Sequence, residues 1–266
     1  MKYKFDHDLH IHTGLSSCSS DPEQSAERLL AYAKENKLST ICVTDHFWDE
    51  SVPGASDWYA PQNYEHIKKI LPLPKSDGID FLFGCESDMD KNFTVGVSVK
   101  RAESFDFMII PTTHMHMTGF TINENDAEYN EKRAELWVKR FDALLDSALP
   151  LKKVGIAHLA CSLICMRSRE DYLEVISLIP DGEMERLFAK AKDTGIGIEL
   201  NMADMSFSDA ECDTVLRPFR IAKHQGCKFY LGSDAHHPKA FTRAKDVFER
   251  AINLLGLEEI DKYHVG

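Results

Sequence analysis

Residues 8–12 read Asp-Leu-His-Ile-His. Polar and apolar residues alternate, and a strand turns successive side chains to opposite faces. Strict alternation places Asp8, His10 and His12 on one face and Leu9 and Ile11 on the other. Two imidazoles on one face can hold a divalent ion, and a neighbouring carboxylate can orient a ring nitrogen. Taken alone, the pattern fits an edge strand with incidental histidines equally well. The rest of the chain separates the two readings.

Six further short apolar runs follow, at 39–44, 79–85, 105–110, 154–157, 195–201 and 228–232. Helical periodicity fills the gaps, at 22–35, 62–71, 126–147, 170–178, 182–193, 209–225 and 240–255. Asp21 is placed to cap the first helix, with Pro22 in its first turn. Seven strand–helix units without a composition break predict an α/β protein with a parallel sheet closed into a barrel. The chain has 266 residues, 43% hydrophobic and 28% charged, which suits one large globular unit.

Other classes drop out. With 31 Lys+Arg against 43 Asp+Glu, the net charge is −12, which disfavours broad nucleic-acid binding. No apolar run approaches the ~18 residues of a membrane span, and the first twelve residues do not read as a signal peptide. Seven scattered cysteines without CxxC spacing predict free thiols in a reducing cytoplasm. Glycine-rich phosphate loops are absent.

In such a barrel, chemistry sits at the C-terminal ends of the strands. Those ends here carry His10 and His12, Asp45 and His46, Glu86, His114, His158, Glu199 and Asn201, then Asp234 and His236. Chance would not favour the ends so uniformly; the Glu199/Asn201 end is the weakest. Asp45 either orients His46 or closes a turn. Glu86 is a solvated acid or, because a carboxylate can do what a neutral imidazole cannot, a bridge between two cations. His114 lies nearer its strand end than His116, which either replaces it as ligand or faces substrate. A lone His158 would read as a core residue. Asp234 and His236 share a face; His237 points away and Pro238 starts the next helix. Cys18 is a thiolate ligand or a small buried apolar residue. Arg167 and Arg169 either meet a phosphate or form a solvated pair. Phe47, Trp48, Trp58 and Tyr59 either wall off a small organic group or form a satellite core.

In chain order, Asp8-Leu-His10-Ile-His12, Thr44-Asp45-His46, Gly84-Cys-Glu86, the histidine after the fourth run, His158 and Gly232-Ser-Asp-Ala-His236 resemble the PHP (polymerase and histidinol phosphatase) superfamily. The resemblance implies one PHP domain over 1–266, folded as a distorted (β/α)7 TIM-like barrel. It also implies two or three divalent ions, Zn, Mn or Fe, at the strand ends. His10, His12, Glu86 and Asp234 would hold the first. Glu86, as a bridge, with His114 and His158 would hold the second. His46, His236 and Cys18 would hold the third. Members commonly carry His or Asp where this chain has Cys18, and a soft thiolate favours zinc.

The activity implied is metal-dependent phosphoester hydrolysis. Water activated between two cations attacks phosphorus in line, with Glu86 as the bridge and Asp234 or His236 assisting proton transfer. The single-domain build resembles the histidinol-phosphatase-like members, so a small phosphomonoester is expected, histidinol phosphate first. A phosphodiesterase or exonuclease would need a basic or aromatic track for a strand, and no dense Lys/Arg run supplies one. A non-catalytic metal-binding module would need a coordination sphere filled by protein ligands.

Overall fold

A computed structural model describes residues 1–265; Gly266, the last residue of the expected unit, lies outside them. The strands are β1 (His7–Ile11), β2 (Thr40–Val43), β3 (His46–Phe47), β4 (Asp80–Ser87), β5 (Phe107–Pro111), β6 (Val154–Ala157), β7 (Gly197–Asn201) and β8 (Lys228–Gly232). The helices are α1 (Ala26–Asn36), α2 (Tyr64–Ile67), α3 (Val99–Ala102), α4 (Glu124–Ala127), α5 (Asn130–Leu145), α6 (Arg169–Leu178), α7 (Asp181–Thr194), α8 (Cys212–Gln225) and α9 (Phe241–Leu255). Strands pair in the order β1-β2-β4-β5-β6-β7-β8, all parallel, and β3 pairs with the end of β4. Thus β2 and β3 act as one interrupted stave, and the sheet is a nearly closed (β/α)7 barrel.

The last seam explains the distortion. At the site end, Asp234 N–H donates to His10 O at 2.7 Å and His12 N–H to Ala235 O at 3.1 Å. Below, side chains take over from the backbone ladder. Leu231 N–H donates to His7 Nε2 at 3.0 Å and Ser233 N–H to Asp8 Oδ1 at 2.9 Å. Buried N–H groups need partners, and here His7 and Asp8 supply them where β1 and β8 diverge.

Strict alternation along β1 does not hold. The register with β2 shifts between Asp8 and Ile11, and such a bulge re-aims side chains. Asp8 accepts the Tyr32 hydroxyl of α1 at 2.9 Å. Leu9 packs with Phe107, Ile109 and Tyr230 inside the barrel, whereas Ile11 joins the main core beneath the helices. Asp8 therefore does not share the site face with His10 and His12.

Two helix boundaries also differ from the sequence reading. Ser25, not Asp21, caps α1, accepting Arg28 N–H. Residues 21–24 form a turn instead, because Gln24 is buried and its Nε2 donates to His12 O at 2.8 Å and Ala235 O at 2.9 Å. The expected long helix from 126 is broken between α4 and α5, and the buried Arg133 guanidinium satisfies Ala127 O across the break.

At the opposite end of the barrel, Lys262 Nζ lies 2.8 Å from Asp6 Oδ2 and His7 Nδ1 lies 2.9 Å from Asp6 Oδ1. Partial burial would raise the Asp6 carboxyl, but His7 and Lys262 hold it at about 2, below its ordinary 3.8. A depressed carboxyl contributes stability that is present above the unfolded value and lost as pH falls through the folded one. Metal-free protein should therefore lose this contribution between about pH 4 and 2. Asp6→Asn should flatten the melting-temperature profile across that window; an unchanged profile would show that the pair contributes nothing.

None of the seven cysteines is paired among the described residues. Among the described residues, no helix is long and apolar enough to cross a membrane.

Candidate metal centre

All parallel strands end on one rim, and the expected residues collect there. His10 lies in β1, His46 in β3 and Glu86 in β4; His12, His114, His158, Asp234 and His236 follow directly on strand ends. Four sets lie close enough to hold an ion: His10/His12/Glu86/Asp234, Glu86/His114/His158, His12/His46/His236 and His10/His158/Glu199. A fifth, His158/Cys161/Asp204, sits beside them.

Glu86 is the junction. Its Oε2 lies 3.4 Å from His10 Nε2, 3.2 Å from His12 Nε2 and 3.2 Å from His46 Nδ1, and its Oε1 lies 3.6 Å from His158 Nε2. Asp234 spans the same two groups, Oδ1 at 3.1 Å from His12 Nε2 and Oδ2 at 3.5 Å from His158 Nε2. His158 and Asp234 both have positive φ, 54° and 53°. That conformation is costly for side chains other than glycine and clusters at functional sites.

The imidazoles are oriented from behind. His10 Nδ1 donates to Glu199 Oε1 at 2.6 Å, His114 Nδ1 to Asp88 Oδ2 at 3.1 Å and His236 Nδ1 to Asp234 O at 2.8 Å. His12 Nδ1 donates to Ser16 Oγ at 2.9 Å, whose own proton goes to Asp45 Oδ1 at 2.7 Å. Each acceptor fixes the tautomer, so the Nε2 lone pair faces the cluster. His46 is turned the other way: its Nδ1 faces Glu86 and has no hydrogen-bond partner. Glu86 Oε1 and His114 Nε2 are likewise buried without partners.

Electrostatics follow from burial and crowding. Burial raises Glu86, but His46 and His10 outweigh it and hold the carboxyl well below its usual range. Burial raises Asp234 too, and His10, His12 and His158 bring it down. Burial lowers His10, yet Glu199, Asp234 and Glu86 lift it above its ordinary value. Burial dominates at His46, which is pushed down, and at His236, lowered to about 4. Burial, then Glu86 and Asp234, push the Cys18 thiol up to about 12. Its Sγ lies 3.0 Å from His236 Nε2, and a bound cation would reverse that shift.

Sequence reasoning missed the supports. Glu199 stood at the weakest strand end, yet it is wholly buried, orients His10 and accepts His158 N–H at 2.8 Å. Asp88 was not singled out; beyond holding His114 it pairs with buried Arg140 at 3.1 Å. Arg140 also donates to Thr112 O, Met89 O and Thr121 O. Arg140→Met leaves the Asp88 charge buried without its ion partner. The expected loss is about 3–5 kcal/mol in denaturant unfolding, with weaker metal uptake through a loosened His114. A loss below about 1 kcal/mol would mean that water replaces the guanidinium.

Other expectations divide. His114 joins Glu86 and His158, whereas His116 is exposed and lines the adjoining cavity. His237 turns away, accepting Lys239 N–H. Trp58 and Tyr59 line the cavity, while Phe47 and Trp48 are buried in the core. Arg167 and Arg169 do not line the cavity beside the cluster, which favours the solvated-pair reading over a phosphate contact. Arg167 is tied to Asn130, Glu128 O and Asp171, and Arg169 pairs with Glu211 at 2.6 Å. The helix start at Ser168 draws both toward acidic helix ends. The cavity itself has a volume of about 520 Å³ and opens beside His46, Glu86, His158 and Asp234.

Comparison with known proteins adds four findings. No curated protein matches the chain in sequence. The crystal structure of a histidinol phosphate phosphatase from Lactococcus lactis, complexed with zinc, L-histidinol and phosphate, superposes with a TM-score of 0.63 at 16% identity, over 92% of this chain and 93% of that one. A probable 2-pyrone-4,6-dicarboxylic acid hydrolase from Acinetobacter baumannii, with citric acid bound, gives 0.45 at 12% identity, over 97% of each chain. The family model of the PHP domain matches residues 8–203. That match ends before Asp234 and His236, which the barrel seam brings back to the same cluster. With most of its length matched, and with the strand-end residues gathered on one rim, the chain belongs to the PHP domain family.

Proposed function

We propose that this protein is a metal-dependent phosphoester hydrolase acting on a small phosphomonoester. The observation that carries the reading is Glu86, buried between two sets of imidazoles, with one oxygen facing each. The site fits divalent ions: Glu86 Oε1, His46 Nδ1 and His114 Nε2 are buried and unpartnered, and mixed imidazole and carboxylate donors suit Zn, Mn or Fe. His10, His12, Glu86 and Asp234 would hold one ion, and Glu86, His114 and His158 a second. His46, His236 and Cys18 would hold a third. Bound ions would supply Lewis acidity toward a phosphoryl oxygen and toward water.

The protein's own groups do the positioning. Glu199, Asp88 and the Asp45–Ser16 pair keep the imidazoles in one tautomer and one orientation. Asp234 and His236, at the cavity edge, are the groups placed to accept the proton of the attacking water. The water oxygen would bond to phosphorus as the ester P–O bond breaks, and the proton taken up by Asp234 or His236 would pass to the leaving oxygen, which departs as the alcohol into the open cavity. That opening disfavours a purely structural metal module, whose ligands would close the coordination sphere. We take 1–266 as one functional unit, because the end of β8 completes a site begun at β1. The seven unpaired thiols support a reducing, cytoplasmic setting.

The test is phosphate release by metal-stripped protein re-supplied separately with Zn, Mn and Fe. A monoester, a diester and histidinol phosphate are compared. Metal-restored monoester cleavage is expected. Cleavage of the diester alone, or of nothing with any metal, would overturn the reading.

A further inference from the structure

We propose that the organic part of the substrate is uncharged and apolar, an aryl or alkyl alcohol, in preference to one bearing an ammonium, a carboxylate or a second phosphate. The inference rests on the hydrolase reading and narrows its substrate class. It comes from the cavity wall beyond the metal cluster. Trp58, Met117 and Leu163 are half-buried and Ala203 is exposed, all facing the cavity with Tyr59; the polar groups beside them are Cys161, Ser162 and His116. Among the described residues, no Lys or Arg lines this cavity, and the carboxylates that do are Glu86 and Asp234, both part of the metal cluster. The arginines of the flanking segments are committed elsewhere. Arg133 and Arg140 donate to backbone carbonyls and Asp88, Arg167 to Asn130, and Arg169 to Glu211.

An ionised group entering this wall would lose its hydration and meet no Lys, no Arg and no carboxylate outside the metal cluster, with His116 and Ser162 as its polar neighbours. A ring or alkyl chain would instead cover apolar surface that now faces water. Trp58 is already braced for this, edge-on to His46 at 5.0 Å and to Tyr59 at 4.7 Å between ring centroids. At about 520 Å³ the cavity is of small-molecule size. The phosphoryl end would be left to the metal cluster and the apolar end to the wall. Histidinol phosphate, with its ammonium, is thereby a poorer fit than a neutral aryl-alkyl ester.

The test separates binding from turnover. Three phosphonates that cannot be hydrolysed, 2-phenylethyl-, 2-aminoethyl- and 2-carboxyethylphosphonate, are titrated into full-length, zinc-reconstituted protein by calorimetry. The phenylethyl compound should bind at least about tenfold tighter than either charged one. Leu163→Lys should erase that preference and improve the carboxyethyl compound, and Ala203→Lys, at an exposed position, repeats the test if Leu163→Lys misfolds. Equal or tighter binding of a charged phosphonate, or no binding of any, would overturn the inference. Phenethyl phosphate and phosphoethanolamine, the esters matching the first two compounds, are then compared with histidinol phosphate by kcat/KM. Phenylethyl preference in binding with no ester hydrolysed would keep this inference and sink the hydrolase reading. Efficient hydrolysis with histidinol phosphate preferred would do the reverse.

Discussion

Glu86→Ala is expected to reduce metal-restored phosphate release to about a thousandth of wild type or less. A bridging carboxylate that positions Lewis-acidic ions supports several kcal/mol of transition-state stabilisation, and about 4 kcal/mol corresponds to that factor. The same variant should lose bound metal in elemental analysis, since Glu86 belongs to two of the candidate sets. Glu86→Gln keeps the shape and removes the charge, so it controls for misfolding. It should fold like wild type while still failing to retain metal. Near-wild-type turnover in either variant would remove Glu86 from the junction role.

The second large effect is expected at a glycine that offers no ligand atom itself but packs directly behind one of the proposed ligands, His10. In Gly232→Ala, the added Cβ would overlap Glu199 Oε1 and sit 2.7 Å from His10 Cβ. Both are buried, so neither can swing away. Either the His10–Glu199 hydrogen bond breaks or β7 and β8 part. Loss of a carboxylate that orients a metal-binding histidine costs about 10–100-fold in metal affinity. Overpacking adds about 1–3 kcal/mol of destabilisation. Metal titration and chemical unfolding measure the two separately. Glu199→Gln isolates the first effect, weakening metal without the steric strain. Wild-type affinity in Gly232→Ala would show that the barrel seam yields more easily than its packing implies.

Much of the site was legible before any coordinates. Strand direction and the polar residues at strand ends are local properties. A parallel barrel then gathers those ends on one rim, whatever the detailed packing. Hence His10, His12, His46, Glu86, His114, His158, Asp234 and His236 could be grouped from their order alone, and the structure does bring them together. The preference for His114 over His116 rested on the same rule of nearness to the strand end.

What tertiary structure alone decided depends on contacts between distant segments. Glu199 reaches His10 across 189 positions of sequence, and Asp88 reaches Arg140 across 52. No local pattern marks such acids as supports rather than solvated ends. Arg167 and Arg169 show the converse: basic residues after a strand look available until Glu211, from another segment, claims one of them. Even the opening Asp8–His12 stretch was half legible. Its period-two pattern identified a strand, but the shifted register with β2 sent Asp8 to Tyr32 and left His10 and His12 in the strand-end cluster. Sequence by itself determined which residues stand at the strand ends, because that follows from backbone geometry. Only the fold decided which way each side chain turns and what holds it there, because a closed seam must satisfy every buried N–H and carboxylate at once.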